Sequence, residues 1–184
     1  MSVPAPTIPV VTDQTALSPE LEEAIALGYA RRDRSDMAPT IAHFEDLLAR
    51  HPGHPVLTYE VAGAHDTAGD ETTARRLYEE ALRLGLSGEP LRRCLCQYGS
   101  TLRWLGEHEA SLAVLDRGRR EFPGSESVRV FRALTLQELG RGDEALAELL
   151  TVVTDHGGAT DLGRYATGLA GLAQWYAAGR PEDD

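Results

Sequence analysis

Small and apolar residues recur every three or four positions along most of this chain, on a background of charged ones. In "GDETTARRLYEEALRLGLSGEP", residues 69–90, Ala74, Tyr78 and Ala81 fall on one helical face. The same arrangement follows "GEHEAS" and "GRGDEA": a Gly, a small residue five positions on, then an apolar stripe at helical spacing. Aligned on that Gly, four units start near 21, 55, 92 and 126, at spacings of 34, 37 and 34 residues. The three extra residues of the second unit fall in "GLSGEP", a turn-rich segment where insertion costs little.

Each unit reads as two antiparallel helices, A and B. Small residues stand where the helices cross closely, and a larger one fills the space beside them. Ala74, Tyr78 and Ala81 hold these places in the second unit. Their counterparts are Thr40, Phe44 and Leu47, then Ser111, Leu115 and Gly118, then Ala145, Leu149 and Val152. The A helices supply Leu27-Gly28, Val61-Ala62 and Tyr98-Gly99. Pro52 and Pro123 stand past two B helices, and Gly69, Gly106 and Gly140 at the A-to-B turns.

With its period and this pattern, the chain over about residues 19–157 resembles the tetratricopeptide repeat. "YGSTLRWLGEHEASLAVLDRGRREFP" and "LGLSG" look like the bacterial group 5 tetratricopeptide proteins. Arg31, Arg129 and Arg132 depart from the pattern at places usually aromatic or apolar, as do Gly118 for an alanine and Gly157 for the closing proline. The expected fold is all-α: a right-handed α-solenoid (α-α superhelix) of four helix-turn-helix repeats plus a C-terminal capping helix. Residues 1–18 are expected to form a Pro-rich arm. The repeats are expected over about 21–54, 55–91, 92–125 and 126–159, a capping helix over 160–179 and an acidic tail over 180–184. In the capping helix Asp161 suits the N-cap, and Leu162, Tyr165, Ala166, Leu169, Leu172, Ala173 and Tyr176 form the stripe that covers the last repeat.

Composition narrows the function. The 184 residues carry a net charge of −11, which argues against nucleic-acid binding. All 18 basic residues are arginine, so neither a P-loop lysine nor a Schiff-base lysine exists. No apolar run is long enough to cross a membrane, and the N-terminus lacks a secretory pattern. With only Cys94 and Cys96, no disulfide framework is expected, and a reducing cytoplasm fits best. Cys94-x-Cys96 on a helix, His51 and His54 in "HPGHP", and the neighbours His65-Asp66 lack the partners that a metal or general-base site needs. There is no Gly-x-Ser-x-Gly elbow, and the acid pairs read as solvated faces. No enzyme activity, cofactor or metal is expected.

Stacked helix pairs leave a concave groove, and the resemblance implies that the A helices line it. The positions expected there are Ile25 and Tyr29, then Tyr59, Gly63 and Asp66, then Arg93, Cys96, Gln97, Ser100, Arg103 and Trp104, then Val130, Phe131, Leu134 and Gln137. The family's clamp for chaperone tails uses Lys and Asn where this chain has Ile25, Tyr29 and Glu60, so that clamp does not carry over. Tyr29, Tyr59, Arg93, Gln97, Ser100, Arg103, Trp104 and Phe131 are the expected partner-binding residues. Arg93 and Arg103, with Arg129 or Arg132, suit a protein or peptide partner that is acidic; the alternative is internal pairing with Glu60, Glu126 or Glu138. A second surface, Arg164, Gly168, Gly171 and Trp175 on the capping helix, suits a homodimer.

Overall fold

The computed structural model describes residues 17–156 and 166–179. The helices are α1 (Pro19–Ala30), α2 (Ala38–Arg50), α3 (Pro55–Thr67), α4 (Glu71–Arg83), α5 (Gly88–Trp104), α6 (His108–Glu121), α7 (Glu126–Glu138), α8 (Gly142–His156) and α9 (Ala166–Ala177). The described residues contain no strand beyond one isolated bridge between Asp33 and Asp36. Asp161, expected as an N-cap, lies outside the described residues.

Side-chain caps open several helices. Ser18 accepts a hydrogen bond from the Leu21 amide with Pro19 at the first position of α1, and Asp70 accepts from the Thr73 amide at 3.1 Å. Three of the A-to-B turns share one closing bond. The amides of Asp70, Glu107 and Arg141 donate to the carbonyls of His65, Leu102 and Leu136 at 3.0, 2.9 and 2.9 Å. In each case the preceding Gly69, Gly106 or Gly140 has φ between 71° and 81°, so the turn needs glycine. The first pair has no such glycine. Its longer connection is held instead by Asp33, whose Oδ1 accepts from the Ser35 amide and hydroxyl.

Each helix packs on the next, and the A helices α3, α5 and α7 also touch one another, which is the contact pattern of a solenoid. The core follows the filler positions. Phe44, Leu47, Ala74, Tyr78, Ala81 and Leu115 are fully or nearly fully buried. Close crossing explains the small partners: a Cβ on Gly99 would stand 2.6 Å from Leu115 Cγ, and one on Gly28 would stand 2.8 Å from Phe44 Cζ. Tyr78 sits between Tyr59 and Tyr98 with ring centroids 6.3 and 5.9 Å away, which ties α3, α4 and α5 together.

The apolar core thins toward the C-terminus, where a separate cluster holds Leu112, Ala133, Leu136 and Ala145. α9 packs chiefly on α8. Ala173 is buried in that contact, whereas Leu172, expected in the covering stripe, is 47% exposed. The reason is geometric: α9 rests mainly on one helix and so buries a narrow face.

Candidate functional site

The row of A helices has a definite register. Tyr29 on α1 bonds to Glu60 on α3, Gln97 on α5 stands beside Gly63 on α3, and Cys96 Sγ on α5 donates to Ser127 Oγ on α7 at 3.6 Å. Counted from each unit start, neighbouring A helices are thus offset by three positions in each of these pairs. This offset decides which residues of the row meet.

At its first end the row carries Tyr29, Glu60 and Arg93. The Tyr29 hydroxyl donates to Glu60 Oε2, its ring packs 5.6 Å from Phe44, and the Arg32 guanidinium lies 5.3 Å over it. Glu60 is 6% exposed, and burial pushes its carboxyl up to about 7, with the Tyr29 hydrogen bond and the Arg93 charge pulling the other way. Arg93 itself is exposed, and its Nε donates to Glu89 Oε1 at 3.0 Å. Arg92 and Arg93 together hold the Glu89 carboxyl down at about 2. Tyr59 does not line the surface. It is 3% exposed and faces Tyr78 inside the stack.

In the middle of the row Asp66, Gln97 and Thr101 surround the Tyr78 hydroxyl. That hydroxyl lies 3.2 Å from Gln97 Oε1 and 3.4 Å from Asp66 Oδ2, while Thr101 Oγ1 donates to Asp66 Oδ1 at 2.8 Å. Burial raises the Asp66 carboxyl, and the bonds from Thr101 and Tyr78 oppose that. Ser100 and Phe131 are half-buried.

The far end of α5 differs from both. Arg103 lies with its guanidinium carbon 5.2 Å from the centre of the Trp104 ring, and Trp104 is 72% exposed. Arg103 Nε is buried with no hydrogen-bond partner among the described residues. By the three-position offset, Leu134 on α7 comes opposite Arg103, and it too is exposed.

Arg129 and Arg132 went elsewhere. Arg132 Nε donates to Asp116 Oδ1 at 2.6 Å and its Nη1 to Glu148 Oε2, while Arg129 Nη1 donates to Asp155 Oδ2 at 2.9 Å. None of the acids expected from the sequence is their partner; Glu126 instead meets His156 at 3.0 Å. The sequence gives no signal for these pairs, because their members lie 16 or 26 positions apart on different helices.

The remaining candidates sit apart from this row. Gly168, Gly171 and Trp175 lie on α9, with Gly171 exposed, and Arg164 falls outside the described residues. Cys94 and Cys96 are buried free thiols, and burial pushes Cys94 up to about 12. His65 sits between Glu45 and Asp70 rather than working with Asp66. Among the described residues no group of three or more His, Cys, Asp or Glu side chains is placed to hold a metal, and no helix is long and apolar enough to cross a membrane. Two clefts escaped the sequence reading. One of about 480 Å³ lies between α7, α8 and α9 over Arg129, Arg132 and Glu148. The other, about 510 Å³, lies between α2 and α4 with Leu48, Val61 and Leu77 in its walls.

Comparison with known proteins agrees with this architecture. A search of curated proteins finds no sequence match. Among solved structures, YrrB, described as a TPR protein with an unusual peptide-binding site, is 19% identical, with 86% of this chain and 78% of that one covered at a TM-score of 0.60. The MamA RS-1 ArsTM double mutant is 13% identical, with 91% and 100% covered at a TM-score of 0.62. At such identities these likenesses establish the fold alone. The family model described as tetratrico peptide repeat matches residues 55–174, from α3 into α9, and the chain belongs to that family.

Proposed function

We propose that this chain is a non-enzymatic docking module that takes a segment of a partner protein along its row of A helices. The observation that carries this reading is the exposed surface made by Arg103, Trp104 and Leu134. Large exposed aromatic and aliphatic side chains grouped beside a cation are the composition of a contact surface. Peptide binding by YrrB, a protein of like fold, supports the reading by analogy. In this reading residues 19–157 carry the docking surface. The buried free thiols accord with a reducing cytoplasm.

The test selects binders from a displayed library of random peptides on the purified protein. The affinity of the best binder is then compared across variants. Trp104→Ala with Leu134→Glu is expected to abolish binding, whereas Leu146→Glu, an exposed position on α8, leaves it unchanged. Undiminished binding by the Trp104/Leu134 variant refutes the proposal.

A second reading, a homodimer through α9, is favoured by the exposed Leu172 and Gly171 on that helix. Sedimentation of Trp175→Ala tests it: a wild-type dimer that stays a dimer in the variant counts against that surface.

A further inference from the structure

Arginine is this chain's only fixed cation, and among the described residues nine of its sixteen guanidiniums pair with the chain's own acids. Arg50, Arg75, Arg83, Arg92, Arg93, Arg117, Arg129, Arg132 and Arg141 all have carboxylate partners. In a chain with 29 acids and 18 arginines, a guanidinium without such a partner stands out. Most that lack one, such as Arg31, Arg34, Arg76, Arg119 and Arg120, are exposed, where water satisfies them. Arg103 differs. Like Arg32 over Tyr29, it is half-buried beside an aromatic ring, its guanidinium carbon 5.2 Å from the centre of the Trp104 ring; what sets it apart is that its Nε is buried with no acceptor among the described residues. A buried donor left unpaired on a charged group costs free energy, and a carboxylate beside the guanidinium offsets part of that cost through its charge. The indole beside it narrows the orientations open to the guanidinium, so less freedom is lost when a carboxylate pairs with it.

Two large exposed apolar side chains belong to this part of the row. Trp104 presents most of its indole, and Leu134 comes opposite from α7. A surface with one oriented cation between two apolar side chains matches a ligand with one carboxylate flanked by apolar groups.

Resting on the docking reading above, we propose that Arg103 and Trp104 form a reader for an internal Asp or Glu of the partner segment. The neighbouring partner residues are apolar and lie on the Trp104 indole and Leu134. An internal acid fits better than a chain terminus. Terminal carboxylates are captured by converging backbone amides or several donors, and here one guanidinium stands on the side of a helix.

The experiment uses the full chain and the peptides selected on it from the random library. Selected sequences are expected to be enriched in Asp or Glu next to Leu, Phe or Pro. Replacing that acid by its amide weakens binding about tenfold, and Arg103→Gln weakens the acidic peptide by a similar factor. The two changes together lose no more than either alone, which is the signature of a direct pair. Arg103→Lys keeps the charge but not the stacked fork, and recovers only part of the loss. Thermal melting of each variant shows whether it folds, and binding of an uncharged control peptide to Arg103→Gln shows that its surface is intact. Binders without acidic enrichment, or additive losses in the cycle, overturn this proposal and leave the docking reading standing. Binders insensitive to Trp104→Ala with Leu134→Glu overturn both.

Discussion

The helix pair α3 and α4 and the pair α7 and α8 solve one packing problem with opposite materials. Around Tyr78 the joint is aromatic: three tyrosine rings stand in sequence, and the central one is fully buried. Around Arg132 the joint is ionic: the residue is 9% exposed and its guanidinium is shared between Asp116 and Glu148. The aromatic joint gains from each Å² removed from water. The ionic joint must first offset the desolvation of its charges and holds only while all partners are present. The fold therefore tolerates a charged layer near its end, where the apolar core is already thin, and that layer is the part most sensitive to losing one partner.

The comparison can be broken most forcefully at Tyr78. Tyr78→Ala removes a fully buried ring and is expected to cost about 4 kcal/mol in chemical denaturation. A loss below about 1 kcal/mol would mean that the tyrosines only fill space that neighbours can close. Next comes the ionic joint. Glu148→Ala leaves Arg132 without its buried partner and is expected to cost about 3 kcal/mol. Arg132→Met combined with Glu148→Leu recovers most of that, because the charge left over, on Asp116, is half-exposed and reaches water. Equal losses for the single and the combined variants would show that the pair itself, not its completeness, stabilises the layer.

The aromatic half has its own buried acid, Glu60, bonded to a tyrosine rather than paired closely with a cation. Its folded-state carboxyl, at about 7, lies above the ordinary value of 4.5. The fold therefore binds the proton more tightly than the unfolded chain. The contribution is most favourable below pH 4.5 and is lost as pH rises to 7. Glu60→Gln keeps an acceptor for Tyr29 and is expected to be more stable than wild type at pH 8, on the order of 2 kcal/mol, and about equal at pH 4.5. A difference that does not change with pH contradicts this assignment.

The smallest effects contrast two glycines. Gly99→Ala drives a Cβ into Leu115 and costs about 1–2 kcal/mol. Gly118→Ala meets Val128 Cγ1 at 3.1 Å, a contact that a small shift relieves, and the helix gains from alanine. It is expected to fall within about 0.5 kcal/mol of wild type, and melting curves of the two variants check the pair.

Much of this architecture was legible because it is local. Helix period, the glycine at three of the A-to-B turns and the small–large–small crossing pattern all lie within one unit, and Ala74, Tyr78 and Ala81 are buried as the spacing implies. The family resemblance was legible for the same reason, and the family match over residues 55–174 bears it out. The surface was less legible because it depends on the offset between units. Tyr59, which a count along one helix sets in the groove, is buried and packs against Tyr78 of α4. Arg129 and Arg132 were read either as groove cations or as internal partners of Glu60, Glu126 or Glu138; they pair internally, but with Asp116, Glu148 and Asp155 from other helices. Arg103 and Trp104 are neighbours in sequence, so their stacking needed no long-range partner.

The docking claim is tested most directly by the emission of Trp104. The chain has two tryptophans, so Trp175→Phe leaves Trp104 as the sole reporter. Titrating a selected peptide into this variant is expected to shift the emission to shorter wavelength and to saturate at the affinity measured by calorimetry, as the exposed indole is covered. Saturable binding by calorimetry with an unchanged Trp104 spectrum would place the partner elsewhere on the molecule and contradict the account.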